Sequence, residues 1–205
     1  MSLSFVYTSK HDLEQALEHV ELALQKSPTP ADKAWAQWVI AWAWCRRGEP
    51  HRGVETLAQL VSMHHAAGYV WGELYIALGL GEGYWRAGEY AKATQALQEL
   101  LDSAARCGMQ FLVGSAHRLL GEVALHTTPA EAAPHLEQSI AILHTIHAEN
   151  ELALAYAGYG RWHAWHGDTI QAHDYLTRAL AIFERLGTLG EPDKVRQAFA
   201  ALPDG

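Results

Sequence analysis

The segment Gly81-Glu82-Gly83-Tyr84-Trp85-Arg86-Ala87-Gly88-Glu89-Tyr90-Ala91-Lys92-Ala93-Thr94-Gln95-Ala96-Leu97 recurs in outline four times. Gly88-Glu89 divides two runs of helical period. Leu74, Leu78 and Gly81 stand at i, i+4, i+7 before it, and Ala93, Leu97 and Leu100 stand so after it. Equivalent turns are Gly48-Glu49, Thr127-Thr128 and Gly167-Asp168. A small residue precedes each turn by seven positions: Ala41, Gly81, Gly121 and Gly160. A leucine follows by nine: Leu57, Leu97, Leu136 and Leu176, with one residue of slack in the third copy. A fixed period of about 40 residues signals stacked helical hairpins. Such arrays build binding surfaces more often than catalytic pockets.

The 205 residues are 49% hydrophobic, enough for a substantial core. The formal charge of −8 argues against a nucleic-acid binder, which normally shows a basic face. Protonating the 13 His residues, each adding one charge, would take that value to +5, so charge depends steeply on pH between about 5 and 7. Cys45 and Cys107 form neither a disulfide framework nor a metal spacing, and a reducing cytoplasm is expected. No basic-then-apolar leader opens the chain, and the apolar run from Trp35 to Cys45 is too short to span a bilayer.

Thr29-Pro30 with Asp32, and Thr128-Pro129 with Glu131, read as capped helix starts. Pro134 would interrupt a helix begun at Thr128, which moves that start toward Ala132. Gly68, Gly108 and Gly187 read as helix stops. The resulting map has an N-terminal extension at 1–9, its first residues consistent with cloning additions. A single repeat domain follows at 10–205. It comprises a lone helix at 10–26, hairpins at 31–67, 69–106, 109–147 and 149–186, and a polar-faced cap at 191–201. The lone helix carries a second-helix pattern, because Ala16, Val20 and Ala23 match Ala93, Leu97 and Leu100. The chain is therefore expected to be a fragment, with self-association possible through its exposed N-terminal end.

The small residue at Gly81, Gly121 and Gly160, the aromatic three later (Trp44, Tyr84) and the Ala twelve later (Ala93, Ala172) resemble the tetratricopeptide (TPR) repeat, lengthened to about 40 residues. The resemblance spans residues 10–187. It implies an all-α, right-handed superhelix of helical hairpins with a C-terminal cap. A further resemblance rests on Arg118–Ala124, Glu151–Ala157, Phe183–Thr188 and Glu191–Arg196. These segments look like the C-terminal TPR region of bacterial signalling proteins with nucleotide cyclase and AAA-type ATPase modules. That likeness implies a regulatory or scaffolding segment without its catalytic domains.

In TPR arrays the first helix of each hairpin lines a concave groove. The resemblance places there Trp35, Trp38, Trp42, Cys45 and Arg46; Tyr75, Leu78, Glu82, Trp85 and Arg86; Ser115, Arg118, Glu122, Leu125 and His126; and Leu154, Ala157, Arg161, Ala164 and Trp165. Aromatic residues and Arg are the usual interface anchors. The expected function is thus non-catalytic docking of a protein, peptide or neighbouring domain. Trp35, Trp38, Trp42, Arg46, Tyr75, Glu82, Trp85, Arg86, Arg118, Glu122, Arg161 and Trp165 are the candidate contacts. Two counter-readings stand. Glu82, Arg118, Glu122 and Arg161 can instead pair with one another, and Trp35, Trp38 and Trp42 can be core rather than a binding plate. The Lys and Asn clamp that holds a peptide carboxylate in the best-known TPR mode is missing, with Trp38, Trp42, Leu78, Glu82 and Arg118 in its place. The alternative function is a small-molecule or signal-peptide sensor built on the Trp-rich first repeat.

Other motifs read weakly. Gly79-x-Gly81-x-Gly83 falls within a helix, where glycines thin the surface for packing, so no nucleotide site is expected. The pairs His163/His166 and His144/His147, with Glu122 and His126, lack a complete ligand set, and no metal or cofactor is expected. No nucleophile motif such as Gly-x-Ser-x-Gly occurs.

Overall fold

The computed structural model describes residues 12–26 and 29–203. The N-terminal extension at 1–9 lies outside the described residues. Ten α-helices, and no strand, occur among those described: α1 (Leu13–Lys26), α2 (Pro30–Arg47), α3 (Pro50–Ala66), α4 (Val70–Arg86), α5 (Tyr90–Arg106), α6 (Gln110–Thr127), α7 (Ala132–Thr145), α8 (Glu149–His166), α9 (Thr169–Leu186) and α10 (Glu191–Ala200). The chain divides into two compact units, residues 1–100 and 101–205.

In the first unit α2 packs on α1, on its hairpin partner α3 and on α4, and α3 packs on α4. The core gathers Val20 of α1, Val39 and Ala41 of α2, Leu57 and Leu60 of α3, and Ile76 of α4. α2 begins as its sequence dictates. The Thr29 hydroxyl oxygen accepts from the Asp32 backbone N–H at 3.2 Å, with Pro30 in the first turn. Close approach of the hairpin helices demands small residues. A Cβ on Gly81 would stand 2.5 Å from Leu97 Cδ2, and one on Gly53 would stand 2.4 Å from the Ala41 carbonyl oxygen.

In the second unit α6 packs on α7 and α8, and α8 packs on α7 and α9. α10 covers α9, burying Val195 beside Phe183. Contacts of the Gly81–Leu97 kind recur. A Cβ on Gly121 would meet Leu136 Cγ at 2.6 Å, and one on Gly160 would meet Leu176 Cγ at 2.8 Å. A single 3₁₀ turn, Pro129–Glu131, follows Thr128, and α7 starts at Ala132 with Pro134 in its first turn, where no internal hydrogen bond is lost. Gly187 takes the left-handed conformation that ends α9, whereas the link from α7 to α8 puts His147 at φ 56° in the same role.

Candidate functional site

The candidate residues lie on the first helix of each hairpin, and the two units organise them differently. In the first unit Glu82 of α4 is the hub. Its carboxylate accepts from Arg46 Nε at 3.0 Å and Nη2 at 3.0 Å, from Trp42 Nε1 at 2.8 Å, and from Arg86 Nε at 2.9 Å. Arg46 thus makes a two-pronged bond, the geometry its planar guanidinium favours. Its Cζ also lies 4.2 Å from the centroid of the Trp42 ring. Glu82 is 2% exposed and the Arg46 side chain 1%, so this pairing joins α2 to α4 in a dry setting. Burial, with the Glu82 charge adding to it, pushes the neighbouring Cys45 thiol up to about 12.

The Trp stripe divides along its length. Trp38 and Trp42 are buried and stacked, with centroids 6.0 Å apart, while Trp35 is 37% exposed and meets Trp38 edge to face. Tyr75, Trp85 and Arg86 are half-buried. Gly79, Gly81 and Gly83 all lie inside α4; a Cβ would press on Leu97 at Gly81 and on Val54 at Gly83, and would make ordinary contact with Trp38 at Gly79.

In the second unit two ion pairs join α6 to α8. Arg118 Nε donates to Glu151 Oε2 at 2.7 Å, with both side chains buried. Arg161 Nη2 donates to Glu122 Oε1 at 2.5 Å, with Glu122 buried and Arg161 partly in solvent. Gly158 makes room for that carboxylate, since a Cβ there would lie 2.9 Å from Glu122 Oε1. Trp165, one turn beyond Arg161, is 57% exposed. The arrangement presents a cation held by a buried counter-charge, next to an uncovered aromatic face.

Several working residues escaped the sequence reading. Glu151, Gly53 and Gly158 give no local signal. Arg52 lies over the Trp44 ring and Lys92 over the Tyr84 ring, the same eight-residue relation in two repeats. Tyr159 donates to Glu137 at 2.5 Å, and desolvation followed by that bond pushes its phenol above the ordinary range. His163 stands 3.6 Å from Asp168, and His166 stacks on Trp162. No group of three or more His, Cys, Asp or Glu among the described residues could hold a metal ion. No helix among them is long and apolar enough to cross a membrane.

No protein-family model and no curated protein sequence matches the chain. Solved structures do. A Rap protein complexed with Competence and Sporulation Factor superposes with a TM-score of 0.79 at 13% identity, covering 96% of this chain and 55% of the Rap chain. BtubC (BKLC) from P. vanneervenii gives 0.67 at 16% identity, covering 95% and 81%. The kinesin light chain TPR-like repeats of Podosopora anserina give 0.57 at 20% identity, covering 90% and 93%. The chain spans about half the length of the Rap protein it matches. At these identities the likeness concerns architecture, and the fold is that of the TPR-like helical-hairpin solenoids.

Proposed function

We propose that the chain is a non-catalytic docking module that captures a protein or peptide partner on the faces of its first helices, within a bacterial signalling protein. One observation carries this reading: on α8, Arg161 and Trp165 stand one helical turn apart and face solvent, while Glu122 beneath fixes the guanidinium. An oriented Arg beside an uncovered Trp is the composition of an interface anchor. The buried members, Trp38, Trp42, Arg46, Glu82, Arg118 and Glu122, serve as the frame that holds the exposed ones. In the first unit half-buried Trp85 and Arg86 take the corresponding positions. The likeness to a Rap protein complexed with Competence and Sporulation Factor supports a module that takes a bound factor.

The test is affinity capture from the source lysate by wild type and by an Arg161→Glu/Trp165→Ala variant, with circular dichroism matched between them. Arg118 is left untouched because it and Glu151 are both buried, whereas a glutamate at half-exposed position 161 can turn from Glu122 into solvent. A protein retained only by the wild type supports docking. Equal retention by both chains removes the α8 face from the reading.

A further inference from the structure

A cavity of about 290 Å³ opens in the first unit between α2, α3 and α4, and its wall residue Trp38 stacks on Trp42 of the Glu82 hub. Aromatic rings make most of its wall: Trp35 and Trp38 from α2, Tyr69 just ahead of α4, and Tyr75 from α4. The rings stand at steep angles. Trp35 and Trp38 are 75° apart with centroids at 4.6 Å, and Trp38 and Tyr75 are 64° apart at 6.2 Å. Both pairs meet edge to face, and all three rings border the cavity. Asp32, in the first turn of α2, places a carboxylate on the rim, oriented by the Thr29 hydroxyl, which donates to its Oδ2 at 2.6 Å.

The site is built around a missing side chain. A Cβ on Gly72 would stand 2.5 Å from His64 Cδ2 and 2.6 Å from Tyr69 Cδ1. Glycine therefore lets the His64 and Tyr69 rings, 5.6 Å apart, lie over the backbone and close one side. His64 Nδ1 is 2.8 Å from the Leu60 carbonyl oxygen, which can only accept, so Nδ1 carries the hydrogen and the ring is fixed in place.

Electron-rich ring faces attract a cation, and more strongly when water is excluded. A nearby carboxylate adds coulombic attraction. An ordinary ammonium would bring several N–H donors into a wall that offers them few acceptors, and unmatched donors are costly to bury. A quaternary ammonium, with every N–H replaced by carbon, has no such donors. The volume lies at the small end of the ~300–1,000 Å³ typical of ligand sites, which suits a compact headgroup. We infer that this cavity binds a quaternary, methylated ammonium group, with Trp35, Trp38, Tyr69 and Tyr75 as its cage and Asp32 as its counter-charge. The site stands independently of partner docking on α8. The group can arrive as a free choline-type molecule or as a trimethylated lysine side chain.

The test is isothermal titration of the full chain, paralleled by tryptophan fluorescence, with four probes. These are choline, its neutral carbon isostere 3,3-dimethyl-1-butanol, a trimethyllysine peptide and the same peptide with unmodified lysine. The expected result is saturable binding of a methylated cation, about tenfold or more tighter than its neutral or unmethylated counterpart. Trp35→Ala, at an exposed position, abolishes binding without loss of helicity, and Asp32→Asn weakens it. Tighter binding of choline assigns a free small molecule, and tighter binding of the trimethyllysine peptide assigns a protein ligand. Either supports the cation cage. Equal binding of choline and its isostere, undiminished binding by folded Trp35→Ala, or silence of both methylated probes overturns it.

Discussion

Glu82→Gln is the most informative perturbation of the frame. The substitution keeps the shape of the side chain and removes the charge that Arg46, Arg86 and the Trp42 N–H share. Because the Arg46 side chain is 1% exposed, solvent cannot replace the lost carboxylate. Breaking one partner out of a buried ion pair costs about 3–5 kcal/mol. Glu122→Gln is the internal control. Its partner Arg161 has 42% of its side chain in water and rehydrates on release, so the loss there is about 1 kcal/mol or less. For a chain of this size the Glu82 change lowers the melting temperature by roughly 6–20 °C. Urea denaturation followed by far-ultraviolet circular dichroism reads both variants, with the midpoint shifting and the slope unchanged. Equal shifts for Glu82→Gln and Glu122→Gln, or a loss below about 1 kcal/mol at Glu82, would refute burial as the source of the difference.

Three further outcomes follow from the same structure. Gly53→Ala should destabilise the first unit by about 1–3 kcal/mol in the same denaturation assay, because its Cβ overlaps the backbone carbonyl oxygen of Ala41 as well as the buried Cys45 Sγ. His117 and His135 face each other, Nδ1 to Nδ1 at 3.0 Å, and desolvation depresses both pKa values, with the two charges also opposing each other at His117. The folded state thus binds protons less readily than the unfolded chain. Stability from this pair is full above the ordinary histidine value of 6.5 and falls as pH drops below it. His117→Phe should flatten that dependence in melts between about pH 7 and 5. Cys45, buried with its thiol held near 12, should resist a thiol reagent that labels exposed Cys107 at once, and should react only when urea opens the fold.

Much of the architecture was legible because it rests on short-range rules. The spacing between the small residue and the leucine is a physical contact in three repeats, at Gly81 with Leu97, Gly121 with Leu136 and Gly160 with Leu176. The one-residue slack in the third copy falls where the 3₁₀ turn replaces a direct helix start. Capping at Thr29 and the stop at Gly187 are local backbone chemistry and read directly. Charge pairing was less accessible. Arg118 reaches Glu151 in the first turn of α8, and Glu82 takes Arg46 from α2, because the partner depends on how far neighbouring hairpins slide past each other. A 40-residue period does not encode that stagger. The left-handed His147 was equally hidden, since no glycine marks it. The Trp stripe could not be assigned from spacing, because one helix face turns gradually from interior to solvent, leaving Trp38 covered and Trp35 open.

The most direct test of the docking account is the dissociation constant of the captured partner, measured with two Arg→Glu reversals on different faces of the fourth hairpin, each shown to be folded by circular dichroism. Arg161→Glu alters the first helix of the fourth hairpin, and Arg178→Glu alters its second helix, where Arg178 is also half-exposed and ion-paired, to Asp174 at 2.7 Å. The account predicts that Arg161→Glu weakens binding about tenfold or more while Arg178→Glu stays within about twofold of wild type. The opposite order, with Arg178→Glu the damaging change, would place the partner on the second helices and contradict the account.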